Sequence, residues 1–432
     1  MEKLMQYVWQ HRLWMPSDMK TVDGQRVDVL DPGLLNTGAG PDFFNAKLRI
    51  ADRMWAGNVE IHVRASDWHR HGHDGDSAYD SVVLHVVENS DTRICRSNGE
   101  TIPQLVMPCA ADFSEHYHAM VNNPTAELMC ADFLSSMPRI YITDWLTSLA
   151  FERLYDKSDR ILRYLARSNG DWAETVYITL ARALGFSTNS DPFERLAFAM
   201  PLHMLMKHRD SRVTVEGALL GQAALLDDFP DTLPADDYRM RLRTEHDFIC
   251  RKYGLSKLAG AGWRFSGVRP HSFPHRRIAT LAAMICGGFE IARRIFEVET
   301  REQAEALFDI TLDGYWATRY GFGDEAGATP AKALSKTSVT ILIINVVAPL
   351  LHAYGNATGR RELCSRAAEL LQALPPENNT YTRLFQAAGV DNDSALTSQA
   401  IVQLRRNYCL GRKCLYCRIG HRYLAQKAIR RH

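Results

Sequence analysis

The sequence lacks any marked excess of charge of one sign, because 51 Lys and Arg stand against 50 Asp and Glu. No global field draws the chain to nucleic acid or to a lipid surface, so electrostatic arguments must be local. It also lacks a long apolar run. The longest, residues 339–351, is broken by Thr340, Asn345 and Pro349, falls short of the ~20 residues a membrane-spanning helix needs, and reads as a buried core helix. No fixed-period repeat or low-complexity tract is present, which excludes solenoids and flexible linkers. The opening residues, MEKLMQYVWQHRLWM, carry charges and aromatics where a secretory signal has an apolar stretch and a small-residue cleavage site. Nine cysteines, an odd count, do not make a secreted disulfide framework. The expectation is a cytoplasmic protein without membrane association, whose clustered cysteines are metal ligands.

What is present is an ordinary globular composition. The chain has 432 residues, is 46% hydrophobic and 23% charged, which excludes disorder, coiled coil and collagen-like fibre and suggests two or three domains. The period of hydrophobicity changes near residue 110. Before it, strand-like segments at 25–30, 42–50, 54–64, 81–88, 92–96 and 102–107 are separated by turn signals such as DPG, GAGPD and SNG. After it, helical periodicity covers 142–167, 172–184, 192–207, 276–296, 300–310, 334–354 and 360–374. The predicted class is α+β: an N-terminal mixed β-sheet domain (1–110), a large all-α region (111–400) and a basic, Cys-rich tail (401–432).

The stretch GPDFFNAKLRIADRMWAGNVEIHV, residues 40–63, reads as a hairpin with a three-residue loop at Ala51, Asp52 and Arg53. In that register Ile50 pairs with Met54, Phe44 with Glu60 and Asp42 with His62, so Asp42, Glu60 and His62 share one face. Two converging carboxylates suit a hard divalent cation such as Mg²⁺ or Mn²⁺. A neighbouring imidazole can position water for attack on a phosphodiester. The alternative is structural, with Asp42 closing the Gly-rich turn and Glu60 pairing with Lys47 or Arg64.

Downstream, SDWHRHGHDGDSAYDSVVLHVV offers His69, His71, His73, Asp74, Asp76 and His85. Imidazole with carboxylate suits zinc, iron or manganese, so His71, His73, Asp74 and His85 form a second candidate metal set. Such a set could serve a small-molecule hydrolase. An exposed polar loop is the simpler reading, with His85 a hydrogen-bonded core histidine.

The tail concentrates the basic charge: residues 401–432 hold nine Lys or Arg and no acid. Within it, Cys409, Cys414 and Cys417 have metal-ligand spacing and His421 follows four residues later. Zinc would take Cys409, Cys414, Cys417 and His421, whereas an iron–sulfur cluster would want a fourth thiolate, for which Cys130 is the first choice. Arg405, Arg406, Arg412, Lys413 and Arg418, interleaved with tyrosines, suit the backbone and bases of a nucleic acid. The arginines at 264, 269, 276 and 277 are expected to pair with acids on adjacent helices.

Two resemblances follow from these residues. Pro41-Asp42, then Glu60-Ile61-His62 on the next strand, resembles the PD-(D/E)xK nuclease superfamily with His in place of Lys. That likeness implies a restriction-endonuclease-like sheet, a catalytic set of Asp42, Glu60 and His62, and phosphodiester cleavage with Mg²⁺ or Mn²⁺. Some nucleases of that superfamily also close an iron–sulfur cluster with C-terminal cysteines. Across most of its length, through GPDFFNA, WAGNVEIH, SDWHRHGH, VVLHVV, RPHSFPHRRIA and CLYCRIG, the chain resembles a bacterial family, number twenty-eight fifty-one among the domains of unknown function. That family implies no activity.

Overall fold

A computed structural model describes residues 1–14, 19–36, 38–107, 117, 127–227, 236–258, 262–324, 327 and 332–429. With 55% of residues helical and 11% in strands, the protein is α+β, as its periodicities imply. The chain divides into two compact units, one of residues 1–145, 387–390 and 405–432, the other of residues 146–386 and 391–404.

The first unit opens with helix α1 (Glu2–Gln10), followed by strands β1 (Val27–Asp31), β2 (Leu34–Leu35), β3 (Phe43–Ile50), β4 (Arg53–Arg64), β5 (Val82–Asn89) and β6 (Gln104–Val106). They form one mixed sheet in the order β1-β3-β4-β5-β6, with β2 pairing on β3. The first three strands of that order are antiparallel, and β5 and β6 continue in parallel. The parallel step needs a crossover, which the short helix α2 (Asp67–Arg70) and two single turns at His73–Gly75 and Ser77–Tyr79 supply. Alternation decides the faces. Val59, Ile61, Leu84 and Val86 join Leu4, Met5 and Val8 of α1 in one apolar core. Glu60, His62 and His85 therefore point to the opposite face, where Trp68, Tyr79, Val82, Ile94 and Ile102 form a smaller core.

The β3–β4 hairpin differs from the expected register. Ile50 pairs with Arg53 and Arg49 with Met54, so the turn is the two-residue Ala51-Asp52. Ala51 takes a φ of +51° there, consistent with a tight hairpin turn. One slipped residue alone would have turned Asp42 into the apolar core beside Ala46 and Leu48. A bulge at Phe44-Asn45 adds a second one-residue shift and so restores the facing: pairing jumps from Ala46–Gly57 to Phe43–Val59. Asn45 sits in the left-handed region at φ +55°, and its N–H donates to Asn58 Oδ1 at 3.2 Å. Gly33 of the DPG turn lies against the bulge, since a Cβ there would stand 2.6 Å from the Phe44 carbonyl oxygen. Asp42 thus returns to the Glu60 face.

The segment 92–96 forms no strand; Cys95 makes an isolated bridge to Thr101. Side chains hold it instead, with Gln104 Nε2 donating to the Thr92 carbonyl and Arg96 to that of Val82, both at 2.9 Å. In the helical unit, Pro201 splits the expected helix at 192–207 into Ser190–Ala199 and Leu202–Met206. The pair Gly287-Gly288 likewise ends Pro274–Cys286 before Ile291–Arg294. The apolar run lies in helix Lys336–Thr358, with a π turn at Ile343–Val347 just before Pro349, which cannot donate to a preceding carbonyl. By length and composition this helix could cross a membrane, yet 72% of its most apolar window is buried inside the protein. Arg276 and Arg277 are also buried, and their guanidinium groups donate to the carbonyls of Trp316, Arg319 and Ala333 where acidic partners were expected.

Candidate metal centre

Asp42 and Glu60 meet at the mouth of the hairpin. The Asp42 backbone N–H donates to Glu60 Oε2 at 3.0 Å, and Asp42 Oδ2 accepts the Ile61 N–H at 3.0 Å. Gln6 of α1 completes the clamp, its Nε2 donating to Asp42 Oδ1 at 2.9 Å. Glu2, one helical turn earlier, adds its negative charge to the field on both carboxyls. Burial, opposed by the Gln6 and Ile61 hydrogen bonds, holds the Asp42 carboxyl up at about 6. Burial and then the Asp42 charge push Glu60 up to about 9. Two partly desolvated acids side by side resist joint ionisation, and a bound cation relieves that conflict.

Two imidazoles face the free Glu60 oxygen, and a third stands beside them. Glu60 Oε1 lies 3.4 Å from both His62 Nε2 and His73 Nε2, and His62 Nε2 lies 3.1 Å from His71 Nδ1. The ligand atoms of His62, His71 and His73 all fall within 4.8 Å of one another. Burial first, then the neighbouring charges of His71 and His73, drives the His62 pKa down to about 3, so its ring is neutral, the state a metal ligand needs. His73 is lowered in the same direction by burial and His71. His73 Nε2 is buried without a hydrogen-bond partner, although it faces Glu60.

The rings are held from outside. His62 Nδ1 shares a hydrogen bond of 2.9 Å with His85 Nε2, the kind of outer contact that fixes which imidazole nitrogen is free to bind. Tyr79 stacks on His73 with centroids 3.7 Å apart, and Trp68 meets His73 and His85 edge-on at 5.3 and 5.4 Å. His62 and His85 are almost fully buried, His73 partly so, while His71 is exposed and opens the cluster to solvent.

Of the residues singled out in the sequence, Asp42, Glu60, His62, His71, His73 and His85 come together. Asp74 does not join them: it is exposed and pairs with His69 Nδ1 at 2.7 Å. Trp68 and Tyr79 escaped the sequence reading, as did the role of Gln6. The periodicity of α1 places Gln6 one turn after Glu2, but only the folded hairpin shows that Asp42 is its partner.

The tail cysteines lie within the electrostatic reach of Cys130, whose thiol is raised by burial and then by the charges of Cys409, Cys417 and Cys414. His421 instead engages α1, its Nδ1 bonded to the Tyr7 hydroxyl and its ring 4.7 Å from His11. Of the basic residues, Arg405 donates to the Glu127 carbonyl. Arg418 pairs with Asp144 at 2.6 Å over the Trp145 ring. Arg406 and Lys413 are exposed and Arg412 partly so; Arg430 and Arg431 lie outside the described residues.

The site defines an α+β protein with a candidate transition-metal centre on one face of a mixed sheet. Residues 2–380 match the model of a family described as Protein of unknown function (DUF2851). The chain belongs to that family. No curated protein and no solved structure matches it.

Proposed function

We propose that the chain is a metal-dependent hydrolase of phosphodiester bonds, a divergent nuclease. The observation that carries this reading is the locked pair Asp42–Glu60 opening onto three imidazoles, on a sheet whose strand order suits the PD-(D/E)xK arrangement. Three antiparallel strands are followed by a parallel fourth, with the acid at the start of the second and Glu-x-His on the third.

The donor set is a test of which ion belongs there. Magnesium prefers oxygen ligands throughout, whereas imidazole nitrogens suit zinc, manganese or iron. The separations of 3.1 Å between His62 and His71 and of 3.4 Å from Glu60 to His62 and to His73 match three of the six edges of a four-coordinate site. With ligand bonds of about 2.0–2.1 Å, those edges are roughly 3.3–3.4 Å. His62 Nε2, His71 Nδ1, His73 Nε2 and Glu60 Oε1 would hold the ion. When bound, it supplies an acidified water and charge stabilisation at the phosphoryl oxygens. Asp42 fixes Glu60 by its backbone N–H and keeps Oε1 turned to the imidazoles. His85 fixes the ring of His62, and exposed His71 marks the side from which substrate enters. Arg406, Arg412 and Lys413 contribute the local positive charge for the nucleic-acid backbone.

The test is a cleavage assay on single- and double-stranded DNA and RNA with zinc, manganese, magnesium and iron(II) in turn. Asp42→Asn and Glu60→Gln preserve shape and remove charge. Glu60→Gln should nearly abolish cleavage while folding and nucleic-acid binding persist, and Asp42→Asn, which keeps the backbone N–H on Glu60, should lower cleavage less. Parental activity in both variants would replace this reading with that of a non-catalytic nucleic-acid-binding scaffold. Metal-dependent turnover confined to small esters would make it a small-molecule hydrolase.

A further inference from the structure

The C-terminal segment is folded back by local chemistry. Residues 404–409 form a π turn, and the chain then reverses through Gly411 and Arg412, the latter at φ +51°. The Arg412 N–H donates to the Cys409 carbonyl at 3.1 Å, and the Cys417 N–H to that of Cys414 at 3.2 Å. Gly420 is required for closure, because a Cβ there would stand 2.2 Å from the Cys414 carbonyl oxygen. The folded segment lies against residues 127–145. Arg405 donates to the Glu127 carbonyl, Tyr423 meets Phe133 edge-on at 5.4 Å, and Arg418 pairs with Asp144. Cys414 and Met129 pack against the same apolar core.

These contacts lay the segment that carries Cys409, Cys414 and Cys417 beside Cys130, which precedes helix α3 (Ala131–Leu134). Cys417 is buried and the other three are largely covered. Burial, then the Cys417 and Cys414 charges, pushes Cys409 up to about 12; burial and then Cys417 push Cys414 up to about 11. Burial, followed by the other three sulfurs, drives Cys130 the same way. Burial raises Cys417 too, but the backbone N–H groups of Ile419 and Gly420 oppose it. They open helix Arg418–Ile429, and such N–H groups aimed at sulfur stabilise a thiolate. Four partly covered thiols in one another's field are awkward as neutral S–H groups, which are weak donors and weak acceptors. As thiolates they repel one another unless a cation lies between them.

We propose that Cys130, Cys409, Cys414 and Cys417 form a four-thiolate metal site, holding one zinc ion or an iron–sulfur cluster, that clips the C-terminal segment to residues 127–134. Binding breaks each S–H bond, releases the proton to solvent and forms a sulfur–metal bond, so affinity rises with pH. An iron–sulfur cluster brings inorganic sulfide as its bridging partner. The site is separate from the imidazole centre and does not depend on the nuclease reading.

The experiment uses the full chain purified without oxygen. Iron and zinc are measured together with acid-labile sulfide and the visible absorbance of iron–sulfur chromophores. Iron with matching sulfide identifies the cluster. Zinc whose release follows titration of the thiols with a mercurial, and whose replacement by cobalt(II) produces the intense charge-transfer band of sulfur ligation, identifies the single ion. Either result supports the proposal. Cys130→Ser should remove this metal as completely as Cys409→Ser, while Cys95→Ser and Cys364→Ser leave it in place. A His71→Ala/His73→Ala variant should retain it as well, which separates this site from the imidazole centre. The mercurial titration on unmodified protein keeps the test decisive if a variant misfolds. Wild-type protein that carries no metal and titrates all nine cysteines as free thiols would overturn the proposal, as would a Cys130→Ser protein with full metal content.

Discussion

Asp42 and Glu60 hold each other through the backbone: the Asp42 N–H donates to Glu60 Oε2, and the neighbouring Ile61 N–H returns to Asp42 Oδ2, both at 3.0 Å. Each carboxyl is thus anchored by a backbone N–H of the other's strand, and Gln6 adds a second donor to Asp42. Their meeting depends on one extra residue at Asn45, because an unbulged ladder would face Asp42 into the apolar core.

That dependence is open to mutation. Asn45→Gly keeps the left-handed conformation and should leave stability and metal binding nearly unchanged. Asn45→Val must adopt φ +55° with a β-branched side chain, or give up the bulge. Strain of this kind costs about 1–3 kcal/mol. Denaturant unfolding should show a loss in that range for Val alone, together with weaker metal binding. Equal behaviour of the two variants would mean the bulge does not set the site.

His62→Lys separates a ligand from a stand-in for the superfamily lysine. His62 is about 1% exposed and ringed by His71, His73 and His85. An ammonium placed there has no lone pair for a metal and stands among the neighbouring imidazoles. The account expects His62→Lys to lose metal, measured by equilibrium dialysis, and cleavage with it. Retained or enhanced cleavage would place His62 in the lysine's role.

His85→Phe keeps the ring and removes the nitrogen that meets His62 Nδ1 at 2.9 Å. Outer-shell losses of this kind lower metal affinity about 10–100-fold. Isothermal titration with zinc or manganese should find that fall with little change in fold, judged by circular dichroism. Wild-type affinity would show that His85 only fills the smaller core.

The stability of metal-free protein should depend on pH in a particular direction. Folded Asp42 and Glu60 bind protons up to about 6 and about 9, where the unfolded chain has already released them. Their contribution is fully present below the ordinary carboxylate range and is lost as pH climbs towards 9. His62, pushed down to about 3, behaves in the opposite sense: its contribution is present above the ordinary imidazole range and is lost as pH falls towards 3. Melting in the presence of a chelator should therefore decline from pH 6 to pH 9, and Glu60→Gln should flatten that decline. Added zinc or manganese should raise the melting point most on the alkaline side, with about 2.7 kcal/mol of stabilisation at a hundredfold excess over Kd. A flat wild-type profile between pH 6 and 9 would contradict the assigned burial of Glu60.

Much of this was legible in the residues. The change of period near 110, the Glu60–His62 strand and the gathering of His71, His73 and His85 all follow from alternation and local composition. The register was not, because a two-residue turn and a bulge each shift pairing by one residue in the same direction, a total of two, and so leave the same face exposed. Asp42 reached the Glu60 face by a different pairing from the expected one, opposite Glu60 and not His62. Asp74 looked like a ligand by proximity in sequence, but a turn at Gly72, φ +75°, lets His69 capture it. Trp68, Tyr79 and the role of Gln6 were invisible because they depend on tertiary packing, which no spacing encodes.

The most direct test of the metal centre is anomalous X-ray diffraction from crystals of the full chain soaked in zinc or manganese, recorded at that metal's absorption edge. The account predicts a peak about 2.0–2.2 Å from His62 Nε2, His71 Nδ1, His73 Nε2 and a Glu60 oxygen. Fully loaded crystals with no anomalous density among these four residues would contradict it.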